Sequence, residues 1–212
     1  MGKLYLVRHG RTAWNKGEIF RGQMDIPLDD VGRKQAHLVG EVLRGENISL
    51  ILSSPLVRAR ETAEIIASYL PNVEVRIDER LTDIDVGQWG GLSLEEVRRR
   101  FPREFQVWAD TPHLWTFPGG EGLKEVQQRV WESVLSYAPL LDKSGVVMVS
   151  HRLTLKTLIL KAIGAGLESF WNIRVDTASI SVFEHAEGKL VLTALNDTHH
   201  LKALEWKDKR DF

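Results

Sequence analysis

Two histidines in this chain stand directly after short apolar runs. Arg8-His9-Gly10 follows residues 4–7, and Ser150-His151-Arg152 follows residues 146–149. Ser53-Ser54-Pro55, with Arg58 three residues on, follows residues 50–52, and Asp78 and Asp83 come after residues 73–77. If these runs are strands of one parallel sheet, ligands bind beyond their carboxyl ends, where imidazole, guanidinium and carboxylate groups then share one rim. That inventory suits phosphoryl transfer. Two guanidiniums grip a phosphate through paired N–H donors. A neutral imidazole between them can attack phosphorus and carry it as a covalent phosphohistidine, while a second imidazole stabilises the equatorial oxygens of the transition state. A carboxyl group has to protonate the leaving oxygen, because an alkoxide leaves poorly. Arginine and histidine neutralise the phosphoryl charge, so the scheme calls for no metal and no cofactor, and its partner is a small phosphorylated metabolite.

Taken singly, a histidine beside a strand is usually structural, and an arginine at a strand end is usually a surface ion pair. Three such junctions together argue for a site. Other chemistries fit less well. A serine hydrolase using Ser150 or Ser54 would need a Gly-x-Ser-x-Gly elbow, which the chain lacks. A nucleotide-binding module would need a Gly-x-x-x-x-Gly-Lys-Ser/Thr loop after a strand, whereas Gly164-Ala165-Gly166 follows a helical pattern.

The elements that must position these groups can be read from periodicity. Residues 4–7, 50–52, 73–77 and 145–149 read as strands. Residues 29–43, 57–70 (stopped by Pro71), 121–141 and 153–163 read as helices, and Ser93 with Glu96 makes a capping box for a helix reaching Arg100. Residues 179–183 and 190–195 read as a closing strand pair around Glu187-Gly188. Alternating strands and helices predict an α/β fold, a three-layer doubly wound arrangement whose largely parallel sheet carries helices on both faces. Residues 84–120 show no strand pattern and are rich in Trp, Pro and Gly, with a polar stretch around Pro102, Pro112 and Pro118; they predict a helical insertion over the active site within a single domain of residues 1–212. Trp89, Trp108, Trp115, Phe117 and Trp171 are expected to form its core, with a minority walling a substrate pocket.

Composition narrows the partners. The chain has 212 residues, 28 Lys plus Arg against 29 Asp plus Glu, a net charge of −1, and 43% hydrophobic residues. That balance gives no general attraction to nucleic acid or to an anionic membrane. There is no cysteine, which removes disulfides, thiolate nucleophiles and Cys-ligated metal sites. The apolar run near the first residue is too short for a signal peptide or a membrane span, so a cytoplasmic protein is expected. Oligomeric state stays open, with a homodimer compatible.

The stretch Leu4-Tyr-Leu-Val-Arg-His-Gly-Arg-Thr-Ala-Trp-Asn15 resembles the Arg-His-Gly-Glu-Thr-x-x-Asn signature of the histidine phosphatase (phosphoglycerate mutase-like) superfamily. The likeness continues in order through Asp25-Ile-Pro-Leu28, Gly32-x-x-Gln-Ala36, Ser53-Ser-Pro-Leu-x-Arg-Ala59 with Glu61-Thr-Ala63, Gly87-Gln-Trp-x-Gly91, Pro118-Gly-Gly-Glu121, Val149-Ser-His151 and Leu195-Asn-Asp-Thr-His-His-Leu201. The resemblance implies that His9 is the nucleophile, that Arg8, Arg58 and His151 complete the phosphate pocket, and that Asn15 bonds the phosphate. Asp83 aligns with the general acid, where most relatives carry Glu; Asp85 is its nearest rival. Arg11, Arg21 and Arg152 replace residues that are uncharged or acidic in most relatives. Extra cations at the rim would favour a substrate with a second negative group, unless they are solvated or paired with nearby carboxylates. Only residues 84–118 separate the acid from the Gly-Gly-Glu motif, which favours the phosphatase branch, including the alpha-ribazole, broad-specificity and metal-independent phosphoserine types. Val86 stands where the last of these carry a histidine. The alternatives are a cofactor-dependent phosphoglycerate mutase and a non-catalytic phosphate-binding member of the fold.

Overall fold

Along residues 3–8 and 145–150 the side chains alternate between two hydrophobic layers, the period-2 signature of a strand buried on both faces. The computed structural model describes residues 2–16 and 19–204, without the side chains of Asn15 and Lys16. Its sheet contains β1 (Lys3–Arg8), β2 (Ile48–Ser53), β3 (Glu74–Ile77), β4 (Gly145–Ser150), β5 (Ile180–Ala186) and β6 (Lys189–Asp197), in the order β3-β2-β4-β1-β5-β6. β3, β2, β4 and β1 are mutually parallel, and β5 and β6 are antiparallel additions at one side. The expected largely parallel α/β sheet is therefore present, with its central strands β4 and β1 being those that lead into the two histidines.

Helices cover both faces. α1 (Asp30–Leu43) and α2 (Val57–Ala67) lie on one side, where Val39, Leu43, Ala59, Ala63 and Ile66 pack against Tyr5, Val7, Val147 and Val149. α5 (Leu123–Tyr137) and α6 (Arg152–Ala162) lie on the other, where Val130, Val134, Leu155 and Ile159 pack against Leu4, Leu6, Val146 and Met148. Each fully buried Val, Leu or Ile contributes about 1.5–3 kcal/mol, so both layers press on the two strands that carry the chemistry. Asp29 caps α1 by accepting from Gly32 N, 2.8 Å away. α2 has no cap of its own; Asp25 reaches across the chain and its Oδ1 accepts from Val57 N at 2.6 Å, which explains the Asp of the Asp25-Ile-Pro-Leu28 motif.

Three of the differences from the sequence reading concern helices. α2 stops at Ala67 and turns before Pro71 is reached. The helix expected over 121–141 ends at Tyr137 and tightens into a 3-10 turn over Ala138–Asp142, because Pro139 has no N–H to continue the ladder. The stretch after Arg100 is more ordered than its polar, proline-rich sequence implies. α3 (Leu94–Arg100), with the expected Ser93–Glu96 capping box, is followed at once by α4 (Pro102–Asp110). Pro102 occupies the first turn of α4, where its missing N–H is not needed. These helices enclose an aromatic cluster around Trp89, which is fully buried and packs against Phe20, Phe101, Phe105, Trp115 and Phe117.

A close approach ties the loop after β1 to α1. A Cβ on Gly32 would lie 2.0 Å from Arg11 O, and one on Gly10 would lie 2.4 Å from Gly32 O. Alanine is the better helix former by about 1 kcal/mol, but contact with backbone at that distance forces the two segments apart. Gly32→Ala should therefore lower stability by about 1–3 kcal/mol, seen as a lower urea midpoint; an unchanged or raised midpoint would show that the loop yields freely.

Candidate active site

β1 and β4 are in parallel register with Arg8 opposite Ser150, so the next residues, His9 and His151, leave the sheet side by side. Their ring centroids are 5.1 Å apart. Backbone bonds fix the junction: His9 N donates to Ser150 O at 3.0 Å, Ser54 N to Val149 O at 3.0 Å, and Ala178 N to Arg8 O at 3.0 Å. Gly10 N donates to Thr62 Oγ1 at 3.1 Å, and Arg11 N to Gln35 Oε1 at 2.8 Å.

His9 is buried and its Nδ1 lies 2.7 Å from Gly10 O. A carbonyl only accepts, so Nδ1 carries the proton and the Nε2 lone pair is the nucleophilic one. Burial, reinforced by Arg58, Arg8 and Arg21, holds this imidazole well below its ordinary pKa and keeps it neutral. His151 is completely buried; its Nε2 is 2.8 Å from Ser54 Oγ, and its Nδ1 has no hydrogen-bond partner among the described residues. Burial first, and then Arg58, hold it neutral as well.

Arg58, on the first turn of α2, is fully buried. Its Nη1 donates to Met24 O at 2.7 Å, and its Nη2 donates to Gly22 O at 2.9 Å and to Asp83 Oδ2 at 3.1 Å. Its Nε lacks a partner among the described residues. Arg8 is anchored through Nη1 to Val175 O at 2.7 Å. Arg21 donates to Thr12 Oγ1, and burial together with Arg8, Arg152 and Arg58 pushes its pKa down to about 9. Buried polar atoms without partners are rare, and Arg58 Nε and His151 Nδ1 are such atoms among the described residues, beside an Arg21 whose proton affinity Arg8, Arg152 and Arg58 lower. A phosphoryl group supplies acceptors and negative charge together.

Asp83 follows β3 by six residues, and its Oδ2 is 3.1 Å from Arg58 Nη2 and 3.7 Å from His151 Nδ1. Asp85 points elsewhere: its carboxylate accepts from Gly87 N at 2.9 Å and its N–H donates to Glu121 at 2.9 Å. Asp78 is also structural, paired through both oxygens with Arg80 and accepting from Ser133. Arg11 is ion-paired with Asp29 at 2.7 Å, away from the guanidinium cluster that includes Arg21 and Arg152. The side chain of Asn15, expected to bond phosphate, lies outside the described residues. Ser54, His151 and Asp83 occur in triad-like order, but Ser54 is fully buried and the His151–Asp83 separation exceeds a hydrogen bond. Ser54 instead orients His151; the Ser-Ser-Pro motif signalled its place but not this partner.

Because neutral His9 and His151 are enclosed in the fold, the unfolded chain takes up protons below its ordinary histidine pKa of about 6.5 that the fold refuses, so stability falls as pH drops through that range. Urea midpoints at pH 7 and pH 5 should differ more in the wild type than in a His9→Gln, His151→Gln double variant. Equal pH dependence would mean that the two rings protonate within the fold.

Known proteins carry the same arrangement of elements. The chain is 37% identical over 201 residues to "Phosphoserine phosphatase 1" of Hydrogenobacter thermophilus, covering 95% of each chain. Its structure matches Bacillus stearothermophilus YhfR with a TM-score of 0.90 at 32% identity, covering 95% of this chain and 100% of that one. It matches a putative alpha-ribazole-5'-P phosphatase from Escherichia coli K-12 with a TM-score of 0.84 at 27% identity, covering 92% and 96%. No helix among the described residues is long and apolar enough to cross a membrane. The family model described as Histidine phosphatase superfamily (branch 1) matches residues 4–198, and with that match over nearly the whole chain and the paired histidines at the ends of β1 and β4, the protein belongs to the histidine phosphatase superfamily.

Proposed function

We propose that this protein hydrolyses small phosphorylated metabolites through a phosphohistidine on His9, within a single domain of residues 1–212 and in the cytoplasm, where charged phosphate esters are retained. The observation that carries the reading is the pair of buried, neutral imidazoles set 5.1 Å apart among guanidiniums. A neutral His9 Nε2 has a lone pair to give, and Arg8 and Arg58 hold the phosphoryl oxygens in line with it. Nε2 forms the bond to phosphorus as the ester P–O bond breaks. His151 Nδ1–H and the arginines take the charge that builds on the equatorial oxygens, and Asp83 gives its proton to the departing oxygen. Water then attacks the phosphohistidine, Asp83 takes a proton from it, and inorganic phosphate leaves with His9 restored.

Arg21, whose proton affinity Arg8, Arg152 and Arg58 lower, adds positive charge to the Arg8–Arg58 pair, so the preferred substrates are those with a second anionic group, such as a carboxylate. Phosphoserine has that chemistry, and the likeness to a phosphoserine phosphatase supports it. Val86 is buried in the aromatic cluster, so it supplies no polar contact to such a substrate.

His9→Ala should abolish turnover, and acid- and base-quenched wild-type enzyme should show phosphate that is acid-labile and base-stable; label recovered on serine would refute the assignment. Asp83→Asn should slow hydrolysis of an alkyl phosphate such as phosphoserine by about 10²–10⁴-fold and p-nitrophenyl phosphate far less, because p-nitrophenolate departs without a proton. An equal loss on both leaving groups would remove Asp83 from the acid role.

A further inference from the structure

Asp83 sits in a loop of short turns between β3 and α3, where no regular ladder holds its backbone. A proton donor misplaced by about 1 Å loses on the order of 10²-fold in rate, so something outside the loop has to hold it. Arg129, near the middle of α5, has five N–H donors, and the structure accounts for all five. Nε and Nη2 donate to the two oxygens of Glu121 at 2.8 and 3.0 Å. Nη1 donates to Arg80 O at 2.7 Å and to Thr82 O at 2.8 Å, and Nη2 also donates to Asp83 O at 3.2 Å. Glu121 Oε2 in turn accepts from Asp85 N at 2.9 Å. The Arg129–Glu121 pair therefore grips the chain on both sides of Asp83 Cα.

We infer that Arg129 and Glu121 are positioning residues for the general acid: a bidentate ion pair on α5 and the Gly-Gly-Glu turn that fixes where the Asp83 carboxyl meets the leaving oxygen. The inference rests on the acid role proposed for Asp83. With every donor already engaged, Arg129 has none to offer a substrate; its charge also bears on His151, and a lysine preserves that charge, so what Arg129→Lys alters passes through the loop. Smaller anchors act beside it: Ser150 Oγ donates to Leu81 O at 2.6 Å and Thr154 Oγ1 to Thr82 O at 3.0 Å. These keep the loop attached when the fork is weakened, so a conservative variant remains folded. Lysine keeps the charge of Arg129 but has three donors on one atom and cannot bridge a carboxylate and three separated carbonyls.

The test compares Arg129→Lys, Glu121→Gln, Asp83→Asn and the Asp83→Asn, Arg129→Lys double variant on phosphoserine and p-nitrophenyl phosphate, with the inhibition constant of inorganic phosphate as the measure of the pocket itself. Arg129→Lys should lower kcat on phosphoserine by about 10²-fold, change p-nitrophenyl phosphate hydrolysis less than tenfold, and leave phosphate inhibition within about twofold. Glu121→Gln should follow the same pattern more weakly. If Arg129 acts through Asp83, the double variant loses little beyond Asp83→Asn alone. Equal losses on both substrates, weakened phosphate inhibition or additive losses in the double variant would overturn the inference while leaving the acid role of Asp83 standing. Asp83→Asn losing equally on both leaving groups would overturn the acid role and this inference with it.

Discussion

Like charges gathered beside one another at the ends of β1 and β4 are the constraint on which this site is built. Burial and then Arg8, Arg152 and Arg58 lower the proton affinity of Arg21, and burial followed by Arg58, Arg8 and Arg21 keeps His9 neutral. Removing a cation from water costs several kcal/mol, and the chain offsets this with fixed oxygen dipoles and, at Arg58, with the Asp83 carboxylate. Arg58 is held by the carbonyls of Gly22 and Met24, Arg8 by that of Val175, and Arg21 by the Thr12 hydroxyl. Carbonyls orient a guanidinium without cancelling its charge, so the potential stays available to an incoming dianion. The same potential makes imidazole a nucleophile near neutrality, when an ordinary histidine is partly protonated and has no lone pair to give.

Such a cluster needs a rigid frame. The frame is the β1–β4 pairing, which fixes the two histidines by strand register, together with the loops that close over the strand ends. Gly10 and Gly32 allow backbone to pass backbone where a Cβ would collide, and Thr62, Gln35 and Ala178 hold the segment after β1 from three directions. Asp83 comes from a separate part of the chain, between β3 and α3. It is joined to the phosphate pocket through Asp83–Arg58 and to the opposite helical layer through Arg129. His9 is thus placed by sheet register and Asp83 by side-chain fork geometry.

The aromatic cluster around Trp89 gives the acid loop its second boundary. Ile84 and Val86 are buried in it, so the residues flanking Asp83 and Asp85 are drawn into an apolar core while the carboxylates turn outward. Alternation along 83–86 therefore has a use outside a strand: it separates the face that packs from the face that reacts or bonds.

The sequence alone determined the order and type of the main elements and the strand–histidine junctions, because a period of two or 3.6 in apolar residues reports burial locally. It also determined the chemistry at the rim, since only a few residue types can attack or neutralise phosphorus. The motif resemblance singled out Asp83 and Asn15 as the expected acid and phosphate ligand. Other features lay beyond it. The α4 helix was masked by its polar, proline-rich composition, and the end of α5 by an apolar pattern that continues through Pro139. That Arg11 is tied to Asp29, that Asp83 faces Arg58, and that Arg129 divides its donors between Glu121 and the carbonyls of Arg80, Thr82 and Asp83 depend mostly on residues 18 to 49 positions apart. Local pattern carries no record of such pairings; only the closed sheet, with both helical layers packed against it, decides which cation meets which carboxylate.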